Sequence, residues 1–270
     1  LFAPSRVVAH ARENREVSEL RAILFDFDGT VAETERFGHR VAYNEAFADL
    51  GLSERYDEET YGEFLAIAGG RERLEAFFTR VRPFLDPTAR AALARRVHDA
   101  KRRRFDAIAP TLAPRPGIER IVAEALACGI RVAIATTAAL DGVTAFVRAR
   151  PALADAFATI VAGDDVIEKK PAPEAYRLAL ERLGVSASNA IAIEDSAIGL
   201  RAARAAGIAT VVTPSGYTEG EDFSGAAAVL SDLGEPDDPA RVLAGIAPEG
   251  RYANVAYFRS LLATGEESRD

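Results

Sequence analysis

The sequence predicts an α/β protein in which a Rossmann-like parallel sheet is interrupted, after its first strand, by an inserted helical domain. Three observations predict it. An apolar run, AILF (22–25), is followed directly by Asp26-Phe27-Asp28. Residues 33–112 then carry helical periodicity with no strand candidate. After the proline- and glycine-rich stretch APRPG (113–117), short apolar runs alternate with helical segments of about a dozen residues, as in right-handed βαβ crossovers. The expected layout is an N-terminal arm over 1–19, a core domain from 20–32 and 113–270, and a helical domain over 33–112.

Each element has its own justification. RAILFD (21–26) is apolar without alternation, as in a strand buried on both faces. Tyr43, Phe47 and Leu50 fall at i, i+4, i+7 and stop at Gly51, a natural helix end. Asp86 offers an N-cap, Pro87 suits the first turn behind it, and Leu93, Val97 and Ala100 share a face. Beyond the hinge, a helix over 117–128 precedes the strand RVAIAT (131–136). A further helix leads to ATIVAG (158–163), then a helix from Pro173 to Leu183, the strand AIAIED (190–195), another helix and IATVV (208–212).

Composition narrows the function. Apolar residues make up 49% and charged residues 27%, the balance of a soluble globular chain. No apolar run approaches the roughly 18 residues of a membrane span, so no membrane association is expected. A net charge of −8 argues against nucleic-acid binding. Cys128 is the single cysteine, which suits a reducing compartment. The sequence holds no methionine, even at position 1, and reads as a processed, trimmed or engineered chain. Residues 1–19 mix Arg6, Arg12 and Arg15 with Glu13, Glu16 and Glu19, and read as a frayed arm or the stub of a transit peptide.

In parallel sheets the ligand sits beyond the carboxyl ends of the strands. That rule selects Asp26-Phe27-Asp28, Thr136-Thr137, the loop from Gly163 to Pro171 with Lys169 and Lys170, and Glu194-Asp195. Asp26, Asp28, Glu194 and Asp195 on one rim would repel one another unless a cation sat among them. Oxygen-only ligands favour Mg²⁺, which keeps several waters and takes substrate phosphates. A lysine and a threonine supply the point charge and the hydroxyl that a phosphoryl group needs.

DFDGT (26–30), Thr136 at the end of the second core strand, KKPAPEAY (169–176) and AIEDSAIGL (192–200) together resemble the haloacid dehalogenase (HAD) superfamily of aspartate-nucleophile phosphatases, over about 21–230. DGTVAETERFGHR, AGGRER, HDAK and GDDVIEKKPAPEAYRLAL are similar to its CbbY branch, which contains phosphatases of xylulose-1,5-bisphosphate, a misfire inhibitor of Rubisco. The resemblance implies a HAD core with an inserted helical cap. It implies Asp26 as nucleophile and Asp28 as the acid and base, its proton retained near neutral pH through neighbouring negative charge. Mg²⁺ would be held by the Asp26 side chain, the Asp28 carbonyl and the Glu194-Asp195 pair, with Asp195 the direct ligand. Thr136 and the Thr137 amide would hold the phosphoryl group, and Lys170 would bridge it to Asp26 while Lys169 faces solvent.

For the substrate's distal end the resemblance implies cap residues. Arg71 follows Gly69-Gly70, where a backbone can approach an anion closely. His98 and Lys101 lie at i, i+3, and Glu35 and His39 at i, i+4, each pair on one helix face. Arg73 ranks behind Arg71. Phe37 stands where the branch has a polar residue, either thickening the cap's packing or facing the substrate path. The expected partner is a small phosphorylated sugar bound by a monomer, in a plastid stroma or a bacterial cytoplasm. The alternatives are a phosphatase or mutase for phosphoglycolate or a hexose phosphate, and a non-catalytic phospho-ligand binder or receiver-like module. Receivers are about half this length and lack a cap.

Overall fold

The computed structural model describes residues 19–67 and 69–267. At its centre is a seven-stranded sheet in the order β3-β2-β1-β4-β5-β6-β7, built from β1 (Ala22–Phe25), β2 (Arg131–Ala135), β3 (Phe157–Val161), β4 (Ala190–Glu194), β5 (Ala209–Val212), β6 (Ala228–Leu230) and β7 (Val242–Gly245). β1 pairs in parallel with β2 on one side and β4 on the other, Phe25 standing opposite Ile134 and Ile193. This register puts the residues just beyond all three strands on one rim.

The sheet is covered on both faces, which explains why β1 and β4 are buried throughout. Ile23 and Phe25 point into a layer formed by α5 (Ile118–Ala127), α6 (Leu140–Arg148) and α9 (Val255–Glu267), with Ile121, Phe146 and Phe258 in the cluster. Ala22 and Leu24, alternating with them, face α7 (Glu174–Leu183) and α8 (Ala197–Ala205) through Tyr176, Ala179 and Ala203.

Between β1 and α5 runs the helical block: a π-helical turn (Glu35–His39), then α1 (Arg40–Asp49), α2 (Glu58–Leu65), α3 (Gly70–Val81) and α4 (Pro87–Ile108). Its own core is aromatic, with Tyr43, Phe47, Tyr56, Tyr61, Phe64, Phe77 and Phe78 in one cluster. Each ring pair adds about 0.5–1.5 kcal/mol beyond its buried area. The expected caps are present: Asp86 accepts from the Thr88 and Ala89 amides at the start of α4, and Gly51 takes φ +69° just beyond α1. Two chain segments connect block and core, and they touch: Ala32 bridges Pro114, and the Arg115 amide donates to the Val31 carbonyl at 2.8 Å.

Two features extend the expected fold. β6 continues the parallel sheet beyond IATVV, and β7 pairs antiparallel to β6 as an edge strand. The region past residue 231, which matched no recognised pattern, supplies β7 and α9, and Val255, Tyr257, Phe258, Leu261 and Leu262 of α9 are buried in the main core. The arm over 1–19 lies outside the described residues apart from Glu19. Among the described residues no helix is long and apolar enough to cross a membrane.

Candidate active site

Asp26 leaves β1 with its amide still donating to the Ile193 carbonyl at 2.9 Å, so the sheet itself aims the carboxylate at the rim. Lys170 Nζ lies 2.5 Å from Asp26 Oδ1 and 2.6 Å from Glu194 Oε1, and the Tyr176 hydroxyl donates to the same Glu194 oxygen at 2.6 Å. Oxygens of Asp26, Glu194 and Asp195 all lie within 4.8 Å of one another, and all three residues are buried. Lys169 is exposed, as expected.

Backbone packing closes this cluster from behind. Gly29 takes φ +85°, and a Cβ there would stand 2.1 Å from Asp195 Oδ2, so the turn after Asp28 accepts only glycine. Ser196 caps α8 by accepting from the Gly199 amide at 3.1 Å, and Gly199 lies so close to Glu194 that a Cβ would overlap its carboxylate. The positive end of α8 therefore faces Glu194. Thr136 is buried at the end of β2, its hydroxyl accepting from the Ala138 amide at 3.1 Å. Thr137 follows it, its carbonyl against Gly163, where a Cβ would come within 2.4 Å.

The electrostatics separate the two aspartates. Burial pushes the Asp26 carboxyl up to about 7, with Lys170 opposing and Glu194 and Asp28 adding to the rise. Asp195 is pushed well above the carboxylate range by burial and by Asp26 and Glu194. Burial would lower Lys170, but the charges of Asp26 and Glu194 hold it above the usual lysine value. Burial would also raise Asp28, yet the His39 charge and hydrogen bonds from His39 and Thr34 outweigh it, so Asp28 sits below its usual range. These neighbours act against the retained proton expected of Asp28. Its neighbours are Thr34 Oγ1 at 2.5 Å and His39 Nε2 at 3.3 Å, both supplied by the helical block.

The block brings most of the remaining expected residues to the same place. Lys101 Nζ lies 2.8 Å from His39 Nδ1 and over the rings of Tyr43 and Phe105, and burial pushes its ammonium down to about 8. Glu35 accepts from the Tyr61 hydroxyl at 2.5 Å. The Gly70 carbonyl accepts from Tyr43 at 3.4 Å, and His98 is packed so closely that a Cβ on Gly70 would come within 2.9 Å of its ring. Burial pushes His98 down. Arg71 is exposed, whereas Arg73, ranked behind it, is the one that reaches inward to the Tyr61 hydroxyl at 3.2 Å and to the Phe64 carbonyl. Phe37 is 54% exposed with the Arg36 guanidinium over its ring, so it does not thicken the block's core.

The haloacid dehalogenase-like hydrolase profile matches residues 20–207. The chain belongs to this family. Within it the chain groups with the CbbY branch. A CbbY protein of Cereibacter sphaeroides is 46% identical over 221 residues, covering 80% of this chain and 94% of that protein. A CBBY-like protein of Arabidopsis thaliana is 41% identical over 249 residues, covering 89% of this chain and 74% of that one. The crystal structure of a mutant CbbY from Rhodobacter sphaeroides in complex with xylulose-(1,5)bisphosphate is 45% identical with a TM-score of 0.68, covering 79% of this chain and 94% of that chain.

In this HAD-like hydrolase the donor set at the rim fits a hard divalent cation. Three buried carboxylates face a single ammonium, and burial first, with repulsion among the carboxylates second, raises Asp26 and Asp195. Several residues of this hydrolase site were not singled out from the sequence. Tyr176 lies inside the KKPAPEAY stretch, on the face of α7 turned to the sheet, and that periodicity was a usable signal. Thr34 was one too, as the one hydroxyl in AETE. Tyr61 and Thr218, which donates to the Asp195 carbonyl at 2.8 Å, had no local signal.

Proposed function

We propose that the protein is a Mg²⁺-dependent phosphatase of a small sugar bisphosphate, with xylulose-1,5-bisphosphate as the first candidate, working through an aspartyl-phosphate on Asp26. The observation that carries this reading is the buried Asp26–Lys170–Glu194–Asp195 cluster at the sheet's carboxyl rim, facing His39 and Lys101 of the helical block. The sugar bisphosphate held by the CbbY relative supports the substrate class.

In this reading an Asp26 oxygen attacks phosphorus while the bond to the sugar oxygen breaks, leaving the phosphoryl group on the carboxylate. Asp28, oriented by Thr34 and His39, gives the departing oxygen a proton that it takes up once the substrate's negative charge stands beside it. It then takes one from the water that attacks the aspartyl-phosphate, which frees inorganic phosphate and restores Asp26. Lys170 balances charge on the phosphoryl oxygens, and Thr136 with the Thr137 amide holds them. Mg²⁺ would be held by Asp26 and Asp195 side chains, with Glu194 beside them and the Asp28 carbonyl, and when bound it supplies the positive charge that lets one anion attack another.

Residues 33–112 act as the cap over residues 20–32 and 113–270. Glu35, His39, Gly70, His98 and Lys101 face the sugar and its distal phosphate, with Arg71 at the outer rim of that surface. The enzyme works as a monomer in a reducing compartment, a plastid stroma or a bacterial cytoplasm, consistent with its single cysteine and with relatives in bacteria and a plant. A panel of phosphate esters, assayed for phosphate release with Mg²⁺ and then with EDTA, tests the reading. The expected result is preference for a ketose bisphosphate and loss of turnover on chelation. Equal rates on phosphoglycolate or hexose phosphates would sink the substrate, and activity that ignores EDTA would sink the metal.

A further inference from the structure

The loop after β5, residues 213–218, touches both halves of the site. On the core side, Thr218 Oγ1 donates to the Asp195 carbonyl at 2.8 Å, lies 3.4 Å from Asp195 Oδ2 and accepts from the Ser215 amide at 2.8 Å. Ser215 is buried beside Gly29, where a Cβ would stand 3.1 Å from the serine Cβ. Arg115 clamps the base of the loop, donating to the Thr213 carbonyl at 2.6 Å and the Pro214 carbonyl at 2.8 Å, while the same guanidinium binds the Gly29 carbonyl. On the other side, Tyr217 leaves the core and joins the aromatic cluster of the helical block. Its ring stands edge-on to Tyr61, 5.9 Å between centroids, and rests on Gly62 of α2, where a Cβ would come within 3.2 Å of Cδ1 and Cε1. Tyr61 is the residue that donates to Glu35. Contacts therefore run without a break through Asp195, Thr218, Tyr217, Tyr61 and Glu35.

We propose that Tyr217 is a positioning residue that couples the seating of the helical block to the Asp195 carboxylate, so that a seated block and a divalent cation at the rim favour each other. The physical reason is the shortness of the loop. Thr218 is the next residue along, and the clamp at Thr213 and Pro214 prevents the base from yielding. Moving the Tyr217 ring therefore drags on the hydroxyl that bonds the Asp195 carbonyl and touches its carboxylate. The ring and not the hydroxyl does this, since the phenolic oxygen is buried without a hydrogen-bond partner among the described residues. Coupling of this kind is reciprocal and amounts to about fivefold or more in affinity. The ligand in question rests on the reading of the rim as a Mg²⁺ site.

Isothermal titration of the full chain with Mg²⁺, without substrate, tests the coupling apart from turnover. Tyr217→Ala is expected to weaken Mg²⁺ binding about fivefold or more, and Tyr217→Phe to keep the wild-type value. Gly62→Ala approaches the same contact from the opposite side. Alanine favours the helix intrinsically, so this variant folds while its new methyl, 3.2 Å from Cδ1 and Cε1, presses on the Tyr217 ring, and it is expected to weaken Mg²⁺ in the same direction, by less than Tyr217→Ala. Should both alanine variants bind Mg²⁺ as the wild type does, with only KM for a phosphate ester rising, Tyr217 is a packing residue and the coupling is overturned. Wild-type protein that binds no Mg²⁺ overturns the coupling together with the metal reading of the rim.

Discussion

Asp26 and Asp28 are two residues apart and chemically unlike, because different parts of the molecule surround them. Asp26 is packed among Lys170, Glu194 and Asp195, and Asp28 is met by Thr34 and His39. Replacing Asp26, the proposed nucleophile, should therefore be nearly silent structurally and severe chemically. Asp26→Asn is expected to lower phosphate release by about 10³-fold or more while the unfolding midpoint holds or rises, since a poorly compensated buried charge is removed. Lys101 gives a pH signature. Its ammonium is pushed from the ordinary 10.5 to about 8, so the folded chain releases this proton before the unfolded chain does. Between about pH 8 and 10.5 the unfolded state thus binds more protons, and this group's contribution to stability rises with pH across that window. Below about pH 8 the charge is held at a cost to folding. Lys101→Met is accordingly expected to raise the Tm at pH 7 by about 2–4 °C. In the wild type, kcat/KM should fall as pH climbs through about 8 and the cation beside His39 is lost, and the Met variant should lack that limb.

At the scale of elements, the strands were the easier part to read. β1, β2 and β4 are continuous apolar runs, and the residues just past each of them stand at the rim. Helix α4 was legible for a different reason: Asp86-Pro87 is a local start signal that needs no tertiary contact. That makes Asp86→Ala a clean test, expected to cost about 1 kcal/mol, seen as a drop of about 2–4 °C in Tm, with kcat unchanged. On α3 the sequence does not separate two arginines. Arg71 and Arg73 are indistinguishable by composition, but Arg73 lies one turn before Phe77 and shares its buried face, while Arg71 points away. β6 and β7 were not legible because one, though buried throughout, is three residues long and the other is exposed along its length.

Across the whole molecule, the site joins segments more than a hundred residues apart in the chain. Lys170 meets Asp26, and Arg115 joins Gly29 to Thr213, Pro214 and Ser231. A cation binding only to this assembled rim stabilises the folded state by mass action, about 2.7 kcal/mol at a hundred times its dissociation constant. Millimolar Mg²⁺ is therefore expected to raise the Tm of the wild type, and EDTA to reverse the shift. Asp195→Asn should lose most of this response, read by calorimetry.

From the order of residues alone come strands β1 to β5, the rim and the chemical kinds of group on it, because strand ends in a parallel sheet carry the residues beyond them to one edge whatever lies between. That order determined the inserted helical block for a similar reason, since helical periodicity is written locally. How those groups act on one another follows from packing in three dimensions. Asp28 is held low by His39 and Thr34 while burial holds Asp26 high, Arg73 turns inward and Arg71 outward on one helix, and Tyr217 reaches Tyr61 by the path of a loop with no pattern of its own. Such relations depend on distance in space, and local periodicity carries no record of them.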